Sequence, residues 1–417
     1  MPATVNIDIA TLQREIDDLA SISEQPAPVV TRVLFSDADL RGRAFVRQHA
    51  RDAGLTLRED GVGNLFARWG GTDASLPPVA TGSHIDAIPN AGPYDGVVGV
   101  LGGIEAIRAL RRAGVVPRRS IELILFTAEE PTRFGIGCLG SRLLSGVLSV
   151  DQAAALRDRD GHTLEHWRAI AGCASAPLAS VRLPQHCYSA FIELHIEQGP
   201  LLERDNIPIG IVEKIAAPAT IHVELTGEGG HAGAVLMPDR RDALLAAAEI
   251  ALAVERAASG TGSPDTVGTT GVCHIEPGAV NSVPCRAHLE IDVRDTRAES
   301  RDAALRAIDA AAREIASRRR VELVMTILHA DPPATCDVQL VQTVSRACDT
   351  LHLPARRMIS RAYHDSLFMA QVCPTTMIFI PCRGGVSHRP DEYSSPDQIR
   401  AGVAVLAESL RLLSSQD

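Results

Sequence analysis

The segment TGSHIDAIPNAGPYDGVVGVLGGIEAI, residues 81–107, indicates the fold, because it joins a strand end, a turn-rich loop and the start of a helix. Imidazole and carboxylate groups bind divalent metals, and a short loop can bring them to one point. His84 and Asp95 are therefore candidate metal ligands. Asp86 lies on the same face of an extended strand as His84 and is a candidate to orient its imidazole. A strand end followed by a helix cap, without metal, is the alternative that this segment alone leaves open.

Composition places the chain among soluble globular proteins, with 45% apolar and 22% charged residues. Its 417 residues exceed what one hydrophobic core usually fills, so we expect two domains. A net charge of -10 without a long basic run argues against nucleic acid as a partner. The nine cysteines form no C-x-x-C pair, and we expect most to be buried and reduced. We find no signal peptide or membrane span, and expect a cytoplasmic protein.

Strands that alternate with helices predict an α/β domain with a doubly wound, mainly parallel sheet. Polar groups follow the apolar strands in three places, and such groups collect at the carboxyl ends of parallel strands. The predicted helices are 8–22, 36–53, 97–113, irregular helical sequence in 141–172 and 396–413; the predicted strands lie in 55–60, 63–70, 77–84, 120–130, 191–198 and 377–382.

The pattern changes near Ile215, where the order of elements becomes β-α-β-β-α-β. That order is typical of a small α+β sandwich, complete in about a hundred residues. We therefore predict that residues 216–330 form an inserted domain, and that 1–215 and 331–417 together form the metal-binding catalytic domain.

The polar residues collected from the strand ends are His84, Asp95, Glu129, Glu130, His195 and His388. Three imidazoles and several carboxylates, without a thiolate, suit two divalent ions that share one carboxylate. In the Glu129–Glu130 pair one carboxylate can bind metal while its neighbour acts as general base. Taken singly, each glutamate could be a solvated turn residue and each histidine a hydrogen-bonded core residue.

Six segments spread over nearly the whole chain occur in the order TGSHIDAIPNAGPYDG, TAEEPTRFG, ELHIEQGPLLE, GEGGHAGAVLMPDRRDA, AVNSVP and SHRPDEYSS. Through these segments the chain resembles the hydantoinase/carbamoylase-type amidohydrolases of the binuclear aminopeptidase-like superfamily. The resemblance implies a doubly wound catalytic domain, interrupted by a lid domain that also serves dimerisation, and hydrolysis of C–N bonds in ureido or carbamoyl acids.

The resemblance also implies a role for each matching residue. It makes His84, Asp95, Glu130, His195 and His388 ligands of two divalent ions, with Asp95 bridging and Mn²⁺ favoured over Zn²⁺. Glu129 becomes the base that activates water, His231 the stabiliser of the developing oxyanion, and Gln198 a contact of the ureido group. Asn281 and Arg294 are implied to hold the substrate carboxylate, although Asn281 could be a turn residue and Arg294 a surface residue.

Within the family, several segments are most similar to the members that hydrolyse ureidoglycolate. Tyr363 stands where other members have glycine, so Tyr363 and His364 are expected to shape a pocket for a small hydroxylated acid; a packing tyrosine is the alternative. The implied reaction converts (S)-ureidoglycolate to glyoxylate, ammonia and carbon dioxide. Hydrolysis of N-carbamoyl-L-amino acids or allantoate is the alternative within the family. A protein that binds a ureido acid without cleaving it is the alternative from another class.

Overall fold

The computed structural model describes residues 5–416. The chain divides into two compact units. Unit 1 contains the described residues up to Glu213, Thr335–Ser360 and the described residues from His364 onward, and unit 2 contains Lys214–Ala334 and Arg361–Tyr363.

The α-helices are α1 (Ile9–Ser21), α2 (Asp37–Asp52), α3 (Val97–Arg112), α4 (Leu139–Ser145), α5 (Val150–Ala155), α6 (Leu164–Ala171), α7 (Leu201–Arg204), α8 (Ala243–Ser259), α9 (Ala298–Arg319), α10 (Val338–Thr350), α11 (Asp365–Met369) and α12 (Pro396–Ser414). The strands are β1 (Val30–Arg32), β2 (Thr56–Glu59), β3 (Leu65–Trp69), β4 (Val79–Ser83), β5 (Ala87–Ala91), β6 (Ile121–Leu125), β7 (Ala190–Ile196), β8 (Ile209–Ile215), β9 (Ala217–Thr226), β10 (Gly230–His231), β11 (Val267–Glu276), β12 (Ser282–Val283), β13 (Arg286–Asp295), β14 (Glu322–Ala330), β15 (Ala334–Thr335), β16 (Ala355–Ser360) and β17 (Thr375–Ile380).

The helices predicted from cap residues and apolar periodicity agree with α1, α2, α3 and α12 to within one residue at each end. Ser36 and Ser395 each accept the N–H of the third residue after them, and Ser395 forms a capping box with Gln398. The sequence 141–172 contains three short helices, α4, α5 and α6, which accounts for its irregular pattern.

The large sheet has the strand order β15-β8-β17-β7-β4-β6-β3-β2, with β16 paired to β8. Its four central strands, β17, β7, β4 and β6, are parallel, and β8 and β3 flank them antiparallel. The predicted α/β class with a mainly parallel central sheet is confirmed. The predicted hairpin at 55–70 is β2 and β3, which pair antiparallel.

Helices cover both faces of this sheet. Leu194 on β7 lies against α3 and α12, where it closely approaches Gly102 and Gly402. Its neighbour Glu193 accepts hydrogen bonds from Ser366 on α11. Successive residues of a strand point to opposite faces, so α11 lies on the face opposite α3 and α12.

Unit 2 contains a four-stranded antiparallel sheet of order β11-β13-β9-β14, and its long elements follow the predicted β-α-β-β-α-β order. Alternate residues of β9 and β13 are buried with the apolar faces of α8 and α9; on the strands these are Ala219, Ile221, Val223, Leu225, Ala287, Leu289, Ile291 and Val293. One sheet face therefore forms the core of unit 2, as expected for period-two alternation.

Across residues 5–416, no helix combines the length and the apolar composition needed to cross a membrane. All nine cysteines are free thiols, and six of them are buried.

Candidate metal centre

The parallel strands of unit 1 bring the predicted ligands together at one edge of the sheet. Ser83 on β4 is in register with Leu125 on β6, and Ile196 on β7 is in register with Ile380 on β17. His84 directly follows β4, and His195 is the penultimate residue of β7. Because the carboxyl ends of these strands are level, the segments that follow them converge.

Two of the imidazoles are oriented by main-chain carbonyl groups. Nδ1 of His84 lies 3.0 Å from the carbonyl oxygen of Asp86, and Nδ1 of His195 lies 2.9 Å from that of Ile196. A carbonyl can only accept, so each Nδ1 carries the proton and each Nε2 has a lone pair for a metal. This tautomer leaves Nε2 of each ring available to a metal.

Asp95 lies between two groups of candidate ligands. Its Oδ1 is 3.0 Å from Nε2 of His195 and 3.6 Å from Nε2 of His84. Its Oδ2 is 3.2 Å from Nε2 of His388, which in turn lies 3.3 Å from Oε1 of Glu130. Two of the clusters of metal-ligand atoms in the described part of the chain, His84–Asp95–His195 and Asp95–Glu130–His388, therefore share one carboxylate.

The start of α3 permits this close approach. Gly96 has a φ of 66° and precedes the helix, and a Cβ at this position would lie 2.5 Å from Nε2 of His84. A side chain there would displace the imidazole, and the positive φ also favours glycine. Gly96 therefore allows Asp95 to lie beside His84 and His195.

The Asp86 carboxylate has a different main contact from the one predicted. Its Oδ1 lies 3.6 Å from Nδ1 of His84, whose hydrogen bond goes to the Asp86 carbonyl. Instead, the carboxylate accepts the N–H groups of Glu129 at 3.2 Å and Glu130 at 3.0 Å. Asp86 thus fixes the turn that carries both glutamates.

Burial and neighbouring charges shift the pKa values of two carboxyl groups of this centre in opposite directions. Burial raises the pKa of Asp95, but hydrogen bonds from His195, His388 and His84 outweigh it and hold that pKa well below its usual range. Burial raises the pKa of Glu129 well above its usual range, and neighbouring carboxylates add to the effect. Hydrogen bonds to Asp95 and Glu130 raise the pKa of His388 to about 11.

Two supporting residues were not predicted from the sequence. Glu392 accepts the N–H groups of Tyr94 at 2.8 Å and Asp95 at 3.0 Å, and it is almost fully buried. The Ser387 hydroxyl lies 2.9 Å from Glu392 and 2.8 Å from Oδ2 of Asp95. These contacts hold the Asp95 loop against the segment that carries His388. The only sequence signal for Glu392 is its position in the SHRPDE motif, residues 387–392, and this motif does not distinguish Glu392 from Asp391.

Gln198 and His364 also lie close to ligands of this centre. Nε2 of Gln198 donates to Oδ2 of Asp95 at 2.8 Å, and its buried Oε1 has no hydrogen-bond partner in the described part of the chain. The His364 ring is buried, with its centroid 4.4 Å from that of His195. Both side chains therefore lie beside the candidate metal ligands.

The remaining predicted residues belong to unit 2, where β10 and β12 bring His231 close to Asn281. These two short strands pair antiparallel, and the N–H of Ala232 donates to the carbonyl of Asn281 at 2.9 Å. Nδ1 of His231 accepts the N–H of Gly233 at 3.1 Å. A neutral His231 therefore carries its proton on Nε2 and can donate it to a ligand.

Arg294 and Tyr363 lie together elsewhere in unit 2. The Arg294 guanidinium is 5.5 Å from the centroid of the Tyr363 ring, and it also donates to both carboxylate oxygens of Asp292, at 2.6 Å and 3.2 Å. The aromatic ring and the carboxylate restrict the orientation of the guanidinium.

Comparison with known proteins gives consistent matches along the chain. It is 51% identical to ureidoglycolate hydrolase of Arabidopsis thaliana over 99% of this chain and 88% of that protein. The crystal structure of AtUAH in complex with (S)-hydroxyglycine superposes with a TM-score of 0.93, at 51% identity over 99% of both chains. A hydantoinase/carbamoylase family amidase from Burkholderia multivorans superposes with a TM-score of 0.87, at 33% identity over 99% of both chains.

The resemblance to hydantoinase/carbamoylase-type amidohydrolases is thereby confirmed. The model of peptidase family M20/M25/M40 matches residues 80–412, which include every ligand of the two clusters. The chain, in which candidate ligands at the strand ends share Asp95, therefore belongs to peptidase family M20/M25/M40.

Proposed function

We propose that the chain is a metal-dependent amidohydrolase that cleaves the ureido C–N bond of (S)-ureidoglycolate. With one water, the complete reaction gives glyoxylate, two molecules of ammonia and carbon dioxide. The observation that carries this proposal is the identity with a ureidoglycolate hydrolase, which extends over nearly the whole chain. The related structure that binds (S)-hydroxyglycine supports a small hydroxylated acid as the ligand.

The donor atoms fit two divalent cations. One would be held by His84, Asp95 and His195, and the other by Asp95, Glu130 and His388. Imidazole nitrogens and carboxylate oxygens suit Mn²⁺, which we favour, or Zn²⁺. Such ions, when bound, polarise the ureido carbonyl and make a water molecule more acidic.

Glu129 is the proposed general base. It is adjacent to Glu130, and its Oε2 lies 3.8 Å from Nε2 of His84, on the side of the ligand clusters. Its carboxylate is buried beside the candidate ligands, where it can accept a proton from the attacking water and pass it to the leaving nitrogen. The terminal nitrogen of the ureido group leaves as ammonia. The resulting carbamate loses carbon dioxide to give hydroxyglycine, which then releases the second ammonia and leaves glyoxylate.

Residues of unit 2 are proposed to recognise the substrate. His231 would donate from Nε2 to the developing oxyanion, as its tautomer permits. Asn281 and Arg294 would bind the carboxylate, and Tyr363 would restrict the pocket to a small acid. Gln198 would contact the ureido group, and His364 would form part of the pocket wall.

We further propose that the enzyme is a cytoplasmic homodimer in which unit 2 provides the interface and acts as the lid. The free cysteines agree with a reducing compartment. The net charge of -10 gives no support for binding nucleic acid.

The decisive experiment measures ammonia release from (S)-ureidoglycolate, allantoate and N-carbamoyl-L-amino acids side by side. The protein is used chelated, and again with Mn²⁺ or Zn²⁺ restored. We expect metal-dependent release, fastest from (S)-ureidoglycolate, and at least ~100-fold slower release by Glu129→Gln with metal still bound. Faster turnover of a carbamoyl-amino acid would overturn the substrate assignment, and full activity of Glu129→Gln would overturn the role of the base.

A further inference from the structure

The two oxygens of the Glu129 carboxylate have different surroundings. Oε2 lies 3.8 Å from Nε2 of His84, on the side of the metal-ligand clusters. Oε1 lies 3.7 Å from Sγ of Cys138, within the distance for a hydrogen bond from a thiol. A carboxylate held on one oxygen presents the other in a fixed direction.

Main-chain hydrogen bonds place Cys138 beside Glu129. The N–H of Cys138 donates to the Glu129 carbonyl at 2.8 Å, and the N–H of Leu139 donates to the Ala128 carbonyl at 2.9 Å. Both Ala128 and Cys138 have left-handed backbone conformations, with φ values of 54° and 55°. For residues other than glycine this conformation is uncommon, and it is retained where the surrounding structure fixes it.

The thiol of Cys138 is suited to donate a hydrogen bond. Its side chain is fully buried. Burial, with the neighbouring Glu129 carboxylate, raises the pKa of Cys138 well above its ordinary value, so the sulfur keeps its proton. A cysteine that only filled space would not need its sulfur near a carboxylate oxygen.

We infer that Cys138 is a positioning residue for Glu129, whose thiol holds Oε1 so that Oε2 is presented to the attacking water. The inference rests on the proposed function, because it takes Glu129 as the general base. Cys138 acts through Glu129 and does not touch the substrate.

The test compares Cys138→Ala, Cys138→Ser and the wild type, with kcat, KM, bound metal and thermal unfolding measured for each. Loss of a hydrogen bond to a charged group predicts that Cys138→Ala lowers kcat about 10-fold or more, with KM and bound metal unchanged. Cys138→Ser keeps a donor, but its shorter C–O bond holds the oxygen farther from Oε1 than the sulfur lies, so this variant should retain more kcat than Cys138→Ala and less than the wild type. Should Cys138→Ala not fold, Cys138→Gly replaces it, because glycine accepts the positive φ.

Cys373→Ala is the matched control, since Cys373 is also buried and its Sγ contacts neutral groups, the Met369 carbonyl oxygen at 3.7 Å and the Thr375 hydroxyl at 3.9 Å. Full kcat in Cys138→Ala would overturn the inference. Equal losses in Cys138→Ala and Cys138→Ser, or an equal loss in Cys373→Ala, would also overturn it, because packing would then explain the effect.

Wild-type turnover separates this inference from the proposed function. If the wild type cleaves none of the ureido or carbamoyl acids, the proposed function fails. Crystal structures of the wild type and Cys138→Ala then test the positioning directly. A Glu129 side chain that leaves its wild-type rotamer in the variant supports the inference, and an unmoved side chain overturns it.

Discussion

Asp95 is the residue on which both clusters of metal-ligand atoms depend, because each of its oxygens faces a different cluster. Hydrogen bonds hold both its carboxylate and its backbone in place. Nε2 of Gln198 and the Ser387 hydroxyl each lie 2.8 Å from Oδ2 of Asp95, and Glu392 accepts the Asp95 N–H. A carboxylate restrained in this way loses little freedom on binding a metal.

Replacing Glu392 with alanine should weaken metal binding. The N–H groups of Tyr94 and Asp95 would lose their buried acceptor, and the Asp95 loop would move. Loss of such a supporting contact typically costs ~10–100-fold in metal affinity. Equilibrium dialysis with Mn²⁺ measures the change. Glu408→Ala is the control, because Glu408 is also buried but pairs with Arg411 on α12; an equal loss there would contradict the assigned role.

Arg294→Lys should raise KM for the substrate about 10-fold and change kcat little. Lysine keeps the charge but loses the planar donor pair that matches a carboxylate. Steady-state kinetics with (S)-ureidoglycolate measures both constants. Arg286→Lys, at the other end of β13, is the control, because Arg286 is exposed and its ion pair with Glu276 is 3.8 Å long. An unchanged KM in Arg294→Lys would remove Arg294 from the carboxylate site.

Residue types were predictable where chemistry restricts them, and supporting contacts were not. Imidazoles and carboxylates at the ends of apolar strands predict metal ligands from the sequence, as for His84 after β4 and His195 near the end of β7, and the structure brings these candidates together. The role of Glu392 depends on a hydrogen bond to a residue nearly three hundred positions earlier in the chain. No pattern in the neighbouring sequence predicts a contact over that separation. Asp391, beside it, is exposed and pairs with Arg389.

At the scale of elements, the packing of α3 against β4 and β7 determines where Asp95 lies. Gly99 lies on the first turns of α3, and a Cβ there would be 2.4 Å from the Leu194 carbonyl oxygen and 2.6 Å from Cβ of Ser83. The helix therefore approaches both strands closely. Since His84 follows Ser83 and His195 follows Leu194, this approach also sets the spacing of the ligands.

Gly99→Ala should destabilise unit 1, because the added methyl group has no room between helix and strands. Overpacking of this kind typically costs about 1–3 kcal/mol in the free energy of unfolding. Urea unfolding measures that free energy. Gly70→Ala is the control, because a Cβ at Gly70 meets no atom within 4 Å. A Gly99→Ala variant as stable as Gly70→Ala would show that α3 can move away from the sheet at little cost.

Long helices with cap residues were predictable, whereas the strands β1, β5 and β16 were not. Ser36 and Ser395 indicate helix starts because their hydroxyl groups accept N–H groups inside the same segment. β5, within the predicted loop, pairs with β1 some fifty-five residues earlier, and β16 pairs with β8. These strands are defined by partners far away in the sequence, which local periodicity does not reveal.

At the scale of the whole molecule, the change from α/β alternation to β-α-β-β-α-β order is the sequence feature that predicts an inserted domain. The order of elements can be predicted from the periodicity of apolar residues, which each long helix or strand shows in its own sequence. The sequence does not predict that Arg361–Tyr363 belong to unit 2, because these residues lie well beyond its main segment. Arg361 pairs with Asp265, and Tyr363 lies beside Arg294. Contacts of this kind arise from tertiary structure alone.

Unit 2 carries an exposed apolar stripe on α8, and this stripe supports the proposed homodimer. Leu244, Leu245 and Leu252 are 38%, 39% and 54% exposed, and spacings of seven and eight residues place Leu252 on the same side as the other two. Their opposite side packs on the unit 2 core. Exposed apolar stripes of this kind are typical of surfaces that associate.

Leu252→Glu should therefore convert the dimer to a monomer. A buried charge at an apolar interface opposes association, since it would be desolvated without a partner. Sedimentation velocity should give twice 44.4 kDa for the wild type and 44.4 kDa for the variant. Val116→Glu, at a 72% exposed position in unit 1, is the control and should remain dimeric. A monomeric wild type at micromolar concentration would refute the proposed dimer, and a dimeric Leu252→Glu would exclude α8 from its interface.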